Sequence, residues 1–261
     1  MTCPTELNIC SMEESTYTFL LRLGDDSLIL GQRLSEWCGH GPILEEDIAM
    51  TNIALDLIGQ ATNIYTYAAG LTPDFNDADA LAFLRFEHQY LNAILVEQPN
   101  GNFADTLVRQ FFFDAFRVPL FEHLQDSKDT SLAAIAEKSL KESRYHLKHS
   151  SEWVIRLGDG TELSHERAQL AVFDLWRYTQ ELFHMDTAEQ KLLAQGIAPN
   201  LENLRGIWLE TVETVMEKAT LKLPTNQGFF GAGRLGRHSE HMGYILAQMQ
   251  YMQRAYPGME W

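Results

Sequence analysis

The chain has 261 residues, 45% hydrophobic and 21% charged, the balance of a globular protein long enough to bury a sizeable core in one domain or two, so disorder is excluded as its ground state. Its formal charge of -16 excludes a nucleic-acid binder, because neutralising phosphates takes clustered Lys and Arg. The start shows no basic n-region followed by an apolar h-region, no run of about 18 apolar residues occurs, and Cys3, Cys10 and Cys38 are odd in number. A cytoplasmic location without disulfide or zinc is therefore expected.

Apolar residues recur at helical spacing almost everywhere and no strand-like alternation is found, which predicts an all-α fold. Residues 1–12 read as a disordered tail and 13–261 as a single domain without repeats or linkers. The first helix is predicted from Glu14 to Cys38, stopped by "GHGP". A second runs from Leu44 to Ala69, opening on Glu45, Glu46 and Asp47 at the positive end of its dipole. "GLTPDFND" reads as a loop and "ADALAFLRFEHQYLNAILVE" as a third helix. Helices from Phe103 to Leu124 and from Ser131 to Leu157 flank the turn "QDSKDT". After "GDGT" come shorter helices over 162–184, 186–195, 201–220 and 236–255.

Two long antiparallel hairpins are the raw material of a four-helix bundle. In ferritin-like carboxylate proteins such bundles hold two metals through one carboxylate on each of two helices and a Glu-x-x-His on each of the others. Residues equidistant from a turn lie side by side, which pairs Asp26 with Asp56 and Asp114 with Glu142, with Asp105 a weaker substitute for Asp114. Three residues after Asp56 stands Gly59, however, and three after Glu142 stands Tyr145, so both nitrogen ligands are absent. His146 is rotated by about 100° from Tyr145. These six positions, Asp26, Asp56, Gly59, Asp114, Glu142 and Tyr145, therefore read as a vestigial di-iron site, with no metal, cofactor-binding or catalytic residue assigned.

Four inward carboxylates without metal must be neutralised, since burying them unpaired costs about several kcal/mol each. Arg22, one turn before Asp26, and Lys138, one turn before Glu142, are the expected cations, with Asn52 and Gln60 flanking Asp56. Protonation of one Asp is the alternative.

"HSEH" (His238 to His241) and "HLKH" (His146, His149) have metal-like spacing but no third ligand; the first reads as helix capping or partner contact, and His146 of the second as hydrogen-bonding within the bundle or at an interface. "NQGFFGAGRLGRHSEH" is Gly-rich before a helix, as phosphate cradles are, but lacks the preceding strand. "RQFFFDAFRVPLF" and "QMQYMQRAYPGMEW" carry more apolar residues than one interior face can take. Phe111, Phe112 and Phe113 are consecutive, so some of this surface is expected to meet a partner.

The stretches "TFLLRLGDDSLILGQRLSEWCGHGPILEEDIAMTNIALDLIGQA", "VEQPNGNFADT", "SRYHLKHSSEWVIRLGDGT" and "GRHSEHMGYILAQMQYMQRAYPGMEW" closely resemble the C-subunit family of the bacterial ring-1,2-phenylacetyl-CoA epoxidases, multicomponent monooxygenases. The resemblance covers all but about the first dozen residues. It implies a ferritin-like fold and a non-catalytic role beside a paralogous A subunit, which carries the di-iron centre and epoxidises the aromatic ring. It also implies a small B subunit and a transiently bound reductase with flavin and iron-sulfur groups. Two other readings stay open. In one, Asp26, Asp56, Asp114, Glu142 and His146 bind iron; in the other, Arg234 and Arg237 bind CoA.

Overall fold

The computed structural model describes the backbone of residues 4–225 and 231–259, with side chains from residue 12 onward. Its helices are α1 (Pro4–Ser35), α2 (Leu44–Ala69), α3 (Ala78–Phe83), α4 (Ile94–Glu97), α5 (Phe103–Leu124), α6 (Thr130–Gly158), α7 (Glu162–Trp176), α8 (Thr187–Gln195), α9 (Leu201–Lys218), α10 (Glu240–Met249) and α11 (Tyr251–Ala255). Among the described residues there is no strand, only an isolated bridge between Ala232 and Arg237, so the fold is all-α as predicted. The Cys3 and Cys10 thiols, and most of the expected tail, lie outside the described side chains.

Local chemistry sets most helix starts. Asn102, Asp129, Thr161, Asp186, Asn200 and Ser239 each cap a helix by accepting from backbone N–H groups in its first turn, which satisfies donors that no intrahelical carbonyl can reach. Asp105 closes the reciprocal bond to Asn102 N at 2.8 Å. That capping role takes it out of the candidate ligands.

The chain forms two compact units. Unit 1 (residues 1–92, 186–198 and 232–261) is organised by the α1–α2 hairpin, with α8 and α10 against α1. From Phe19 to Gly31 every residue of α1 is buried, as expected of a helix covered all round. Gly24 and Gly31 let α2 approach: a Cβ on Gly24 would strike the Tyr65 ring, and one on Gly31 would press on Ala54, Leu57 and Ile58.

Unit 2 (residues 93–185 and 199–231) is built around α5, which packs on α6, α7 and α9. Phe111, Phe112 and Phe113 are all fully buried, which corrects the expectation that some of this run faces a partner. With α7 and α9 packed on α5 in addition to α6, three consecutive aromatics find apolar surroundings. Phe112 meets Trp176 and Trp208, Phe116 meets Phe183, and the Trp208 indole donates to the Phe112 carbonyl at 2.9 Å.

The single helix predicted over residues 78–97 is also corrected. It breaks into α3, a short 3-10 turn over Glu87–Gln89, an extended stretch and α4. Backbone groups that would continue the helix are captured instead: Leu91 N donates to Asp25, and Ile94 N donates to Glu181 within unit 2.

Two glycines test this packing. Gly59 lies mid-α2 with open space where a Cβ would stand, whereas a Cβ on Gly158 would collide with the Ala219 carbonyl. Gly59→Ala is expected to raise stability by about 0.5–1 kcal/mol, through the lost entropy of the unfolded chain. Gly158→Ala should lower it by about 1–3 kcal/mol. Urea midpoints of the two variants in the opposite order would contradict the packing of α6 on α9.

Candidate functional site

The buried polar groups of unit 1 centre on Asp25, not on Asp26. Asp25 and Arg85 have almost no exposure and are joined through both carboxylate oxygens, with the Arg85 NH1 contact at 3.0 Å. Tyr65 donates to the same carboxylate at 2.5 Å and Leu91 N at 2.6 Å. The rest of the guanidinium donates to the Leu81 and Gln89 carbonyls and lies 4.1 Å from the centre of the Tyr90 ring. Gln250 ties Tyr90 and the Arg85 carbonyl to the C-terminal helices. Burial disfavours the Arg85 charge, but Asp25 outweighs it and holds the guanidinium pKa above its usual value. Burial and then Asp25 push the Tyr65 phenol well up, and burial takes Tyr90 to about 12. A fully satisfied buried pair of this kind is a structural clamp.

Arg22 is buried as expected, but it serves other acids. Its guanidinium pairs with Asp186 at 2.6 Å and Glu189 at 3.0 Å, and donates to the Arg234 carbonyl. A helical side chain leans toward its own N-terminus, which carries Arg22 away from Asp26 and onto the first turn of α8. Burial opposes the Asp186 charge, yet the Arg22 bond prevails and lowers the carboxyl pKa to about 2. Arg234 is itself buried, 3.7 Å from Glu189, and so is unavailable to a CoA phosphate, whereas Arg237 is exposed. Of the Gly-rich stretch, residues 226–230 lie outside the described residues.

In unit 2 the buried face of α6 carries Ser139, Ser143, His146 and Ser150, while Tyr145 is 55% exposed and Lys138 points to solvent. Asp114 is fully buried and accepts from Ser150 Oγ and Gln110 Nε2, each at 2.8 Å. Burial is the largest influence on it; the His146 and Arg117 charges and both hydrogen bonds pull the other way, leaving the Asp114 pKa at about 7.

These contacts correct the hairpin pairing. Asp114 stands opposite Ser150 rather than Glu142, and Asp25 is met by Tyr65, so the level of α2 near Asp56 faces Gly31 instead of Asp26. Counting from the turn tracks Cα positions, but side chains on both helices lean toward their N-termini, displacing each contact by about a turn per helix. Asp56 and Glu142 are only half-buried, and Gly59 and Asn52 are exposed. Lys138 therefore neutralises no buried acid.

The inward positions with Glu-x-x-His spacing on α6 are Ser143 and His146. The small-residue stripe Ala136, Ser139, Ser143, Ser150 was the signal in the sequence that could have found them. Between Met50 and Ala68, the buried face of α2 has Gln60 but no acid and no histidine. Neither half-site matches a di-iron ligand set. Among the described residues no group of three or more His, Cys, Asp or Glu stands close enough to hold a metal. His238 and the Tyr90 carbonyl share a hydrogen bond at 2.8 Å and Ser239 caps α10, so "HSEH" is used structurally. No described helix is long and apolar enough to cross a membrane.

The sequence matches the family described as phenylacetic acid catabolic protein over residues 2–261. It is 51% identical over 243 residues to the C subunit of the 1,2-phenylacetyl-CoA epoxidase of Escherichia coli K12, covering 93% of this chain and 98% of that relative. The chain belongs to this family, whose fold is ferritin-like.

Asp25→Ala is expected to lower stability by about 3–5 kcal/mol in equilibrium unfolding, because Arg85 is left as a buried unpaired charge. Asp114 makes a pH prediction. Its folded pKa of about 7 lies above the unfolded value, so its favourable contribution is complete below about pH 4 and is lost as pH rises through 7. Asp114→Asn mimics the protonated acid, with its amide donating to Ser150. It should remove a pH dependence of about a few kcal/mol between about pH 4 and 8; a variant that keeps the wild-type slope would show that Asp114 is ionised throughout.

Proposed function

From its place in this family, we propose that the chain is the structural subunit of a multicomponent oxygenase that epoxidises the ring of phenylacetyl-CoA in aerobic phenylacetate breakdown. In this reading it works in the cytoplasm, pairing with and stabilising a homologous subunit that carries the di-iron centre. The complex also includes a small B subunit, and a reductase with flavin and iron-sulfur groups docks transiently.

The observation that carries the proposal is the filling of the inward half-sites. Gln60 and Ser143, neither of them a carboxylate, are buried on α2 and α6, and Asp25, Asp114 and the half-buried Asp186 each have a partner within their own unit. Such a chain keeps a bundle without supplying oxygen chemistry, and what remains for it is a surface. Unit 1 leaves large apolar side chains in water, among them Leu44, Ile48 and Leu55 on α2 and Tyr244, Tyr251 and Met259 near its C-terminal end. Leu44, Ile48 and Leu55 recur at i, i+4 and i+11 along one face of α2, and a grouped apolar face of this kind has the composition of a protein contact.

Elemental analysis after growth in iron-rich medium tests the assignment. The isolated chain should contain less than about a tenth of an iron, and its pairing with the catalytic subunit should yield about two irons per pair. The catalytic subunit made without this chain should be insoluble or inactive. About two irons in the isolated chain would instead make it an oxidase in its own right, and a soluble, fully active catalytic subunit alone would remove the structural role.

A further inference from the structure

In a chain of formal charge -16, residues 138–148 run the other way: Lys138, Lys141, Arg144 and Lys148 against Glu142 alone, or +3, which leaves -19 for the remainder. Lys138, Lys141, Tyr145 and Lys148 follow one another at i, i+3, i+7 and i+10, forming one stripe on the outer face of α6, and all four are exposed. On a face that is only solvated, the lysines would close pairs one turn away, Glu137 with Lys141 and Lys138 with Glu142. Among the ion pairs of the described residues none engages Lys138, Lys141 or Lys148. Tyr145, at the middle of the stripe, is braced by the rings of His146 and His149 at 6.3 and 6.4 Å. An exposed aromatic among cations has the composition of an interface anchor.

The complementary stripe is in the same unit. On α9, Glu210, Glu213 and Glu217 are exposed along one outer face, and N-terminal to them stands Gly206, where a Cβ would meet nothing within 4 Å. Ile207, beside that gap, is 43% exposed.

We propose that a second copy of this chain docks here, with the outer face of α6 lying antiparallel on the outer face of α9 of the other copy and Tyr145 seated at Gly206. The register follows from the common helical rise. With Tyr145 opposite Gly206, Lys141, four residues before Tyr145, falls opposite Glu210, four after Gly206. Lys138, seven before, falls opposite Glu213, seven after, and Lys148 falls near Glu202. The tyrosine ring fills the space left by the missing side chain and covers Ile207.

The net charge of each copy does not prevent this, because at about 0.15 M salt charges further apart than about 8 Å are screened and the stripe in contact decides. One helix pair is a small interface, so association in the micromolar range or weaker is expected. It holds whether or not the chain also pairs with a catalytic subunit.

Sedimentation of the full chain over about 5–200 μM tests this. The wild-type chain should associate with rising concentration, and Tyr145→Ala should weaken that at least about tenfold. A variant with Lys138→Glu, Lys141→Glu and Lys148→Glu should stay monomeric, as should one with Glu210→Lys and Glu213→Lys. An equimolar mixture of the two should associate again, because each supplies the charge the other lacks. All these positions are exposed, and unchanged circular dichroism would establish that the variants fold. A wild-type chain that stays monomeric, association indifferent to the reversals, or a mixture that fails to recover would each overturn the proposal. Retention on phosphatidylserine vesicles through α6 without self-association would overturn it too, by assigning the stripe to a polyanion.

Discussion

Asp25 has no contact with water, and much of unit 1 is arranged around satisfying it there. A carboxylate taken from water needs a cation and enough donors to occupy its lone pairs; here Arg85, Tyr65 and the Leu91 N–H supply them. Because Arg85 and Leu91 both come from the segment after α2, that segment cannot run on as one helix. It stops at α3, turns Arg85 inward and extends far enough to present Leu91 N to the acid. Tyr90 then covers the guanidinium and Gln250 fastens the C-terminal helices to both. Packing, chain path and helix breaks in this region thus share one electrostatic cause.

Asp25, Asp114 and the pair Asp186 and Glu189 show three ways of handling an acid largely withdrawn from water. Asp25 is matched to an arginine. Asp186 and Glu189 share Arg22 at the start of α8, where capping the helix and pairing the charge use the same Asp186 carboxylate. Asp114 has neither arrangement in full; the donors that reach it are neutral, and burial shifts it toward holding a proton. Asp186, its pKa depressed, contributes most above the ordinary carboxylate range, whereas Asp114, its pKa raised, contributes most below it, so no single pH suits both.

Much of this fold was legible in the sequence wherever the signal is local. Helix caps such as Asn102, Asp129 and Asp186 declare themselves through the hydrogen bonds they make two or three residues away, and the all-α class follows from apolar spacing. The candidate site was legible only in part. That Gly59 and Tyr145 cannot ligate was readable, but which residues of α2 and α6 face inward depends on the lean of the side chains, and counting from a turn ignores it. His146 belongs to the buried face and Tyr145 to the outer one because of that displacement. The broken third helix and the buried run from Phe111 to Phe113 were illegible for a different reason, since both are imposed by distant segments: Asp25 in the first case, α7 and α9 in the second.

A bundle that presents no metal ligands is released from one constraint and left with another. Ligand carboxylates can be buried because the metal compensates them; without it, each inward acid must be replaced, paired or protonated. Here Ser143 and Gln60, not carboxylates, are buried on α6 and α2, while Asp114 accepts hydrogen bonds from neutral donors. The features with unspent binding potential then lie outside: apolar side chains on α2, aromatic ones beside the C-terminal helices, and a basic stripe facing away from an otherwise acidic molecule. If the chain is the structural subunit proposed above, it acts through the surfaces it presents to other proteins, and its buried charges hold those surfaces in place.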